Sequence, residues 1–299
     1  VVLEMSNLQL WDIKYSPDIA VLLMITADHM DWHRGNMDEY VAIKGNITKF
    51  QDSNDLLIHH PSNEHVLSIA RSSEAESRKF LDIQSAWVDK DIIMYQTKSI
   101  CSRDAINLIG DHNLENVCAA IVASWDILVD ELGDETRARA VLQQALKSYQ
   151  GLPHRLELIA QKGEIKFYDD SIGTTPEAAM AAIKSFNEDK ALIMGGSDKG
   201  ADFTELAKVV AADERIKSIS LIGDTAAKIK ESLLATGYNG EIHEVEGVAS
   251  EVMLKVVYLA NSSLAGKGVV LLAPACASFG LFKNYQDRGE CFKQAVASI

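Results

Sequence analysis

From residue 156 onward, short apolar runs alternate with segments whose apolar residues recur every three to four positions. The runs at 156–159, 165–168, 191–194, 219–222, 242–245 and 269–272 predict buried strands. The segments at 177–186, 203–212, 225–236, 249–263 and 281–297 predict helices. Such alternation predicts an α/β fold with a mostly parallel, doubly wound sheet. Ligands of these sheets bind beyond the carboxyl ends of the strands. Three turns fall there: 169–175 (DDSIGTT), 195–200 (GGSDKG) and 274–278 (PACAS). Each is rich in small residues and donors, and Gly195, Gly196 and Gly200 permit close backbone approach to a ligand. One glycine-rich turn is weak evidence; three on one sheet edge predict a site.

The first half is less regular. An apolar run at 18–26 predicts a strand that ends in a polar cluster, Asp28, His29, Asp31 and His33. A helix is predicted over 36–51, with Asp38 and Glu39 in its first turn, where acidic side chains suit the helix dipole. Tyr40, Ile43 and Ile47 define its apolar face, and Lys44 falls on that face. A lysine there is paired, chemically altered, or snorkels to solvent, because a buried unpaired ammonium is costly. Residues 1–3 predict a short strand. Glu4 after it reads either as a Mg²⁺ ligand or as an ordinary strand-end acid.

Further strands are predicted at 55–59, 80–83, 86–88 and 92–96. Helices are predicted at 64–70, from the Gly110-Asp111 turn through Ile127, and at 135–149. Asn113 and Asn116 lie near the start of the second of these helices. They either cap it and face solvent or present amides to a ligand. Gly151-Leu-Pro-His-Arg155 then breaks the pattern and predicts a junction between domains 1–150 and 151–299.

Composition narrows the classes. The 299 residues suffice for two domains, and 47% are hydrophobic. A net charge of −14 without a long basic run argues against nucleic acid as a partner. Cys101, Cys118, Cys276 and Cys291 show no C-x-x-C spacing and read as reduced thiols of a cytoplasmic protein. No apolar run reaches the length of a membrane span, and no signal peptide is expected. The chain opens without Met in strand-like sequence, so it is expected to begin inside a domain.

Taken in order, DHMD with the helix lysine after it, GDHNLEN, GLPHR, DDS-x-x-TTPEA, GGSDKG and PACASFGLFKNYQDRG resemble the Mur ligases of peptidoglycan synthesis, over essentially the whole chain. GLPHR and HN-x-x-N are shared across that superfamily. The DKG turn and PACASF…FKNY-x-x-RG resemble more specifically its D-glutamate-adding members. The resemblance implies the remainder of a P-loop-type central ATPase domain followed by a Rossmann-like C-terminal domain. It implies a cytoplasmic monomer that uses ATP and Mg²⁺ to join D-glutamate to UDP-N-acetylmuramoyl-L-alanine through an acyl phosphate.

Residue by residue, the resemblance implies that Glu4 binds the Mg²⁺ between the β- and γ-phosphates and that His29 binds a second Mg²⁺. Lys44, carbamylated by CO₂, becomes a ligand of that second ion. Asn113 and Asn116 meet the adenine, Arg155 the γ-phosphate and Asp170 the ribose. Thr174, Lys199, Ser278, Phe279 and Tyr285 match positions that hold the D-glutamate carboxylates, and Ser6 and Gln9 touch the muramoyl substrate. His154 reads as structural, and Cys276 lacks the base that a nucleophile needs.

Two departures stand out. No G-x-x-x-x-G-K-[ST] loop occurs, so the chain alone is expected not to ligate. Ile172 occupies a position where many relatives carry lysine, which removes one positive charge from the D-glutamate site. The competing readings are another amino-acid specificity among Mur and folylpolyglutamate synthase-like ligases, or a non-catalytic binding module.

Overall fold

Aliphatic runs pair into parallel ladders, and the segments with helical spacing cover them, in a computed structural model that describes residues 1–26 and 32–299. The chain forms two compact units. One is Val1–Asn107 with Asp111–Tyr149; the other is Leu108–Gly110 with Gln150–Ile299.

The first unit runs α1 (Asn7–Leu10), β1 (Ile19–Leu22), α2 (Met37–Gly45), β2 (Leu56–His59), α3 (Glu64–Ser72), β3 (Glu76–Lys79), β4 (Ala86–Asp89), β5 (Ile92–Tyr95), β6 (Lys98–Ser102), α4 (Asp111–Leu132) and α5 (Glu135–Ser148). Strands β1-β2-β3 form a parallel sheet and β4-β5-β6 an antiparallel one. Ala20, Leu22, Leu57, Tyr40, Val66 and Ile69 bury one core between the parallel sheet and α2 and α3. Asn36 caps α2 by accepting the Glu39 N–H at 3.1 Å.

Four predictions change here. Residues 1–3 form no strand: Val1, Val2 and Leu3 are exposed, and a strand so short needs a neighbour to pair with. Glu4 therefore follows no strand. The helix expected over 36–51 ends at Gly45, and a 3₁₀ turn, Asn46–Thr48, follows. The Asn46 amide leaves the helix to donate to the Leu10 carbonyl at 3.0 Å. The strand expected at 80–83 is displaced to β3, ESRK, which has no apolar residue. Its Arg78 pairs with Glu76 and Asp126, each at 2.7 Å.

The second unit runs β7 (Glu157–Lys162), β8 (Glu164–Asp169), α6 (Pro176–Lys184), β9 (Lys190–Gly195), α7 (Thr204–Ala211), β10 (Ile216–Ile222), α8 (Ala226–Ala235), β11 (Glu241–Val245), α9 (Ala249–Ser263), β12 (Lys267–Leu272) and α10 (Tyr285–Ser298). Its sheet has the order β11-β10-β9-β12-β8-β7. All pairs are parallel except β7 with β8, and β12 returns to lie between β8 and β9. Side-chain alternation divides the strands between two cores. Leu192, Met194, Leu221, Val269 and Leu271 face one; Ala191, Ile193, Val270, Leu272 and Phe167 face the other. Burying each large aliphatic here contributes roughly 1.5–3 kcal/mol. The last helix starts at Tyr285 rather than 281, because Asn284 caps it by accepting the Asp287 N–H at 2.8 Å. Among the described residues no helix is long and apolar enough to cross a membrane.

Candidate active site

Because β9, β12 and β8 are neighbours in the sheet, the three polar turns that follow them lie side by side. Backbone contacts join them. The Gly195 N–H donates to the Pro274 carbonyl at 2.8 Å, Ser197 N–H to the Ala277 carbonyl at 2.9 Å, and Asp170 N–H to the Leu272 carbonyl at 3.0 Å. The turn 195–200 is packed against both neighbouring strand ends: a Cβ on Gly195 would lie 2.2 Å from the carbonyl oxygen of Ile222, the last residue of β10. One on Gly196 would lie 2.1 Å from that of Ala277. The buried Thr225 hydroxyl accepts the Gly196 N–H at 3.0 Å and lies 3.2 Å from the Cys276 sulfur. Burial raises the Cys276 thiol above its ordinary value, so it stays protonated.

Arg288 on α10 binds two of these turns at once. Its guanidinium is fully buried and donates to the Ser171 hydroxyl (2.9 Å), the Ser171 carbonyl (2.7 Å) and the Cys276 carbonyl (3.0 Å). Burial lowers it to about 10, opposed by the fields of Cys276, Asp169 and Asp170. The turn 169–175 is thereby fixed to the turn 274–278.

Beneath them His154 Nδ1 and Asp169 Oδ2, both buried, lie 2.7 Å apart. His154 (φ 63°) and Leu156 (φ 43°) are left-handed residues on either side of the exposed Arg155. Such backbone costs about 1 kcal/mol or more per residue and persists only where the surroundings hold it. Here the His154 N–H donates to Glu157 at 2.8 Å and the Leu156 N–H to Asp170 at 3.1 Å. Burial pushes the Asp170 carboxyl up to about 7, despite the Leu156 N–H and the Arg155 charge that lower it.

His154, Glu157 and Asp169 bring three potential metal-ligand atoms within 4.8 Å of one another. Their lone pairs are already engaged, since Glu157 also accepts from Lys293 at 3.0 Å and His154 from or to Asp169. The cluster is a structural network.

Lys199, Ser278, Phe279, Thr174 and Tyr285 all lie on this edge or just after it. Ser278 is buried, Lys199 and Thr174 are exposed, and the Lys199 ammonium stands 5.4 Å over the Phe279 ring. Ile172 is half-buried, with its N–H donating to the His154 carbonyl at 3.1 Å.

In the first unit, Lys44 is half-buried with its ammonium 5.5 Å over the Tyr40 ring. Tyr40 also meets His33 edge-on at 5.2 Å, and His33 Nε2 lies 3.0 Å from the Asn7 amide. The Asn7 Oδ1 and His33 Nδ1 atoms are buried without hydrogen-bond partners among the described residues. Asp28, His29 and Asp31 lie outside the described residues. Glu4 is exposed. Ser6 and Gln9 engage each other in a capping box at the start of α1. Asn113 and Asn116 sit on the first turns of α4, with their amides 3.4 Å apart.

The profile described as Mur ligase middle domain matches residues 1–124, and that described as Mur ligase, glutamate ligase domain, matches residues 154–276. The chain belongs to the Mur ligase family. It is 34% identical to the UDP-N-acetylmuramoylalanine--D-glutamate ligase of Clostridium perfringens and 37% identical to the protein of that name from Natranaerobius thermophilus. Each alignment covers 100% of this chain and 63% of the relative, so the chain spans less than two thirds of their length. MurF from Acinetobacter baumannii shares the fold, with a TM-score of 0.67 at 16% identity over 94% of this chain and 60% of that one.

Within this Mur ligase chain, Arg288 and Asp169 carry the frame of the site; both fall inside quoted motifs, FKNY-x-x-RG and DDS-x-x-TTPEA, but neither is assigned a role by the resemblance. A signal for Arg288 exists in the sequence. With Phe292, Ala295 and Val296 it lies at i, i+4, i+7 and i+8, a cation on the apolar face of a helix, as Lys44 is.

Proposed function

We propose that this chain carries residues of an ATP-driven ligase that joins D-glutamate to UDP-N-acetylmuramoyl-L-alanine in peptidoglycan synthesis. The observation that supports this most is the Lys199 ammonium over Phe279, next in sequence to the buried Ser278, on an edge braced by three strands. A compact cation with neutral donors on a rigid frame suits a small dicarboxylate. The likeness to relatives named as D-glutamate ligases supports the choice of D-glutamate among amino acids.

An oxygen of the substrate carboxylate attacks the γ-phosphorus of ATP, the bond to ADP breaks, and an acyl phosphate forms. The free amine of D-glutamate attacks the acyl carbon. Phosphate leaves with the electrons of its C–O bond, and the surplus amine proton passes to water. Arg155, held between two left-handed residues, steadies charge on the transferring phosphoryl group. Asp170 offers the ribose hydroxyls an acceptor, and Asn113 and Asn116 offer amides to the adenine. Lys199, Thr174, Ser278, Phe279 and Tyr285 hold D-glutamate so that its amine is aimed.

Glu4, Lys44 as its carbamate, and His29 are the residues that would hold Mg²⁺. Their oxygen and imidazole donors, with the orphaned buried Asn7 Oδ1 and His33 Nδ1 in the Tyr40–Lys44 neighbourhood, fit a hydrated hard cation. The ion supplies charge neutralisation to the phosphoryl oxygens.

Phosphate release by the full-length protein tests the reading, with ATP, UDP-N-acetylmuramoyl-L-alanine and D-glutamate, L-glutamate, L-lysine or diaminopimelate in turn. Turnover with D-glutamate is expected. Turnover confined to another amino acid overturns it.

A further inference from the structure

We propose that Lys228 sets the charge of the amino-acid half-site by neutralising Asp198, and so leaves Lys199 free to meet a substrate carboxylate. This rests on the D-glutamate reading above. Lys228 lies in the first turn of α8, outside every motif of the sequence. Its Nζ is 3.5 Å from Asp198 Oδ2 and 5.6 Å from the centroid of the buried Phe203 ring, which gives the ammonium a fixed seat.

Asp198 has a different task for each oxygen. Oδ1 accepts the Gly200 N–H at 2.7 Å and closes an Asx turn around Lys199. Oδ2 takes the Lys228 ammonium. The acid therefore faces away from its neighbour, and Lys199 rests on the Phe279 ring instead of on a carboxylate. Without Lys228, the Asp198 charge would stand unopposed one residue from Lys199 and weaken its field at the substrate.

The balance matters more in this chain than in relatives with lysine after the serine of the Asp-Ser turn. Here Ile172 contributes no charge, and among the positions matched to D-glutamate (Thr174, Lys199, Ser278, Phe279 and Tyr285) the cation is Lys199. The turn that carries Asp198 is bound to the turn of Ser278, since the Ser197 N–H donates to the Ala277 carbonyl at 2.9 Å. A Cβ on Gly280, two residues beyond Ser278, would approach the Asp224 carboxylate at 3.9 Å, so a second acid also faces this edge. The Asp198–Lys228 pair is close to half exposed, which limits the expected effect to a few-fold.

The test uses the full-length protein and two ligands, D-glutamate in turnover and glutarate, a dicarboxylate without the amine, in calorimetry. Lys228→Met keeps the stem over Phe203 and removes the charge. The KM for D-glutamate and the Kd for glutarate are each expected to rise about threefold, with the KM for ATP unchanged. The rise should shrink as salt is added. Asp198→Asn in the Lys228→Met background keeps the acceptor for Gly200 and removes the unopposed carboxylate, so both constants should return toward wild type. An unchanged Kd in Lys228→Met, or a double variant as weak as the single, overturns the role of Lys228 alone. A wild type that binds neither ligand overturns the D-glutamate reading and this role together.

Discussion

The 2.7 Å contact between His154 Nδ1 and Asp169 Oδ2 is closed off by the backbone of Gly289. A Cβ there would lie 2.2 Å from the imidazole nitrogen and 2.6 Å from the carboxylate oxygen. The absent side chain on α10 thus makes room for the pair that holds the Arg155 turn. Gly289→Ala must push the ring and the acid apart. It is expected to destabilise the protein by about 1–3 kcal/mol, read as a lower denaturant midpoint. An unchanged midpoint contradicts this packing.

Arg288→Met should be more damaging than its conservative volume suggests. It leaves the buried Ser171 and Cys276 carbonyls without their donor, and each such loss costs about 1–3 kcal/mol. A fall in thermal midpoint is expected together with a raised KM for D-glutamate, since the two turns are no longer tied. Arg288→Lys restores charge but not the three-point geometry, and should recover only part of either quantity.

Asp170 carries a pH signature. Its carboxyl sits at about 7 in the folded protein because of burial, against an ordinary 3.8. Between those values the folded state keeps a proton that the unfolded chain has released. Stability therefore falls as pH rises from about 4 to about 7 and levels off above. Asp170→Asn retains an acceptor for the Leu156 N–H and removes the titration. Its thermal midpoint should gain on the parent as pH rises through that window, and a difference independent of pH would contradict the assignment.

Lys44→Ala in the full-length protein should abolish ligation, and added short carboxylates should restore part of it by replacing the carbamate oxygens. Full activity in the variant without additive removes the lysine from the mechanism.

The second unit was legible because its central strands β9, β10 and β12 are buried on both faces and its helices on one. Leu192, Val270 and their neighbours announce themselves as apolar runs whatever their order in the sheet. What the pattern could not carry was stability drawn from charge or from neighbours. Strand β3 has no apolar residue and is held by its ladder and by Arg78, so hydrophobicity places the strand one segment too late. Residues 1–3 look like a strand but have no ladder to join. The strand expected at 156–159 forms as β7, but its antiparallel direction, set by a short hairpin into β8, is not legible in the alternation. At the candidate site, the three turns were visible as small polar residues. His154 was legible as a structural residue, but its pairing with Asp169 and the three-point tie made by Arg288 were not, because a buried acid or cation looks like a surface residue until the opposite face of its helix or strand is known.

The guanidinium of Arg288 also fixes an order of events during synthesis. It lies on α10, which follows every strand of the sheet, while one of the two turns it joins, that of Ser171, lies more than a hundred residues earlier. A nascent or clipped chain that stops before α10 can complete all six strands and still leave those turns untied. The turns 169–175 and 274–278 are therefore tied by this guanidinium only once the chain has been made through Arg288.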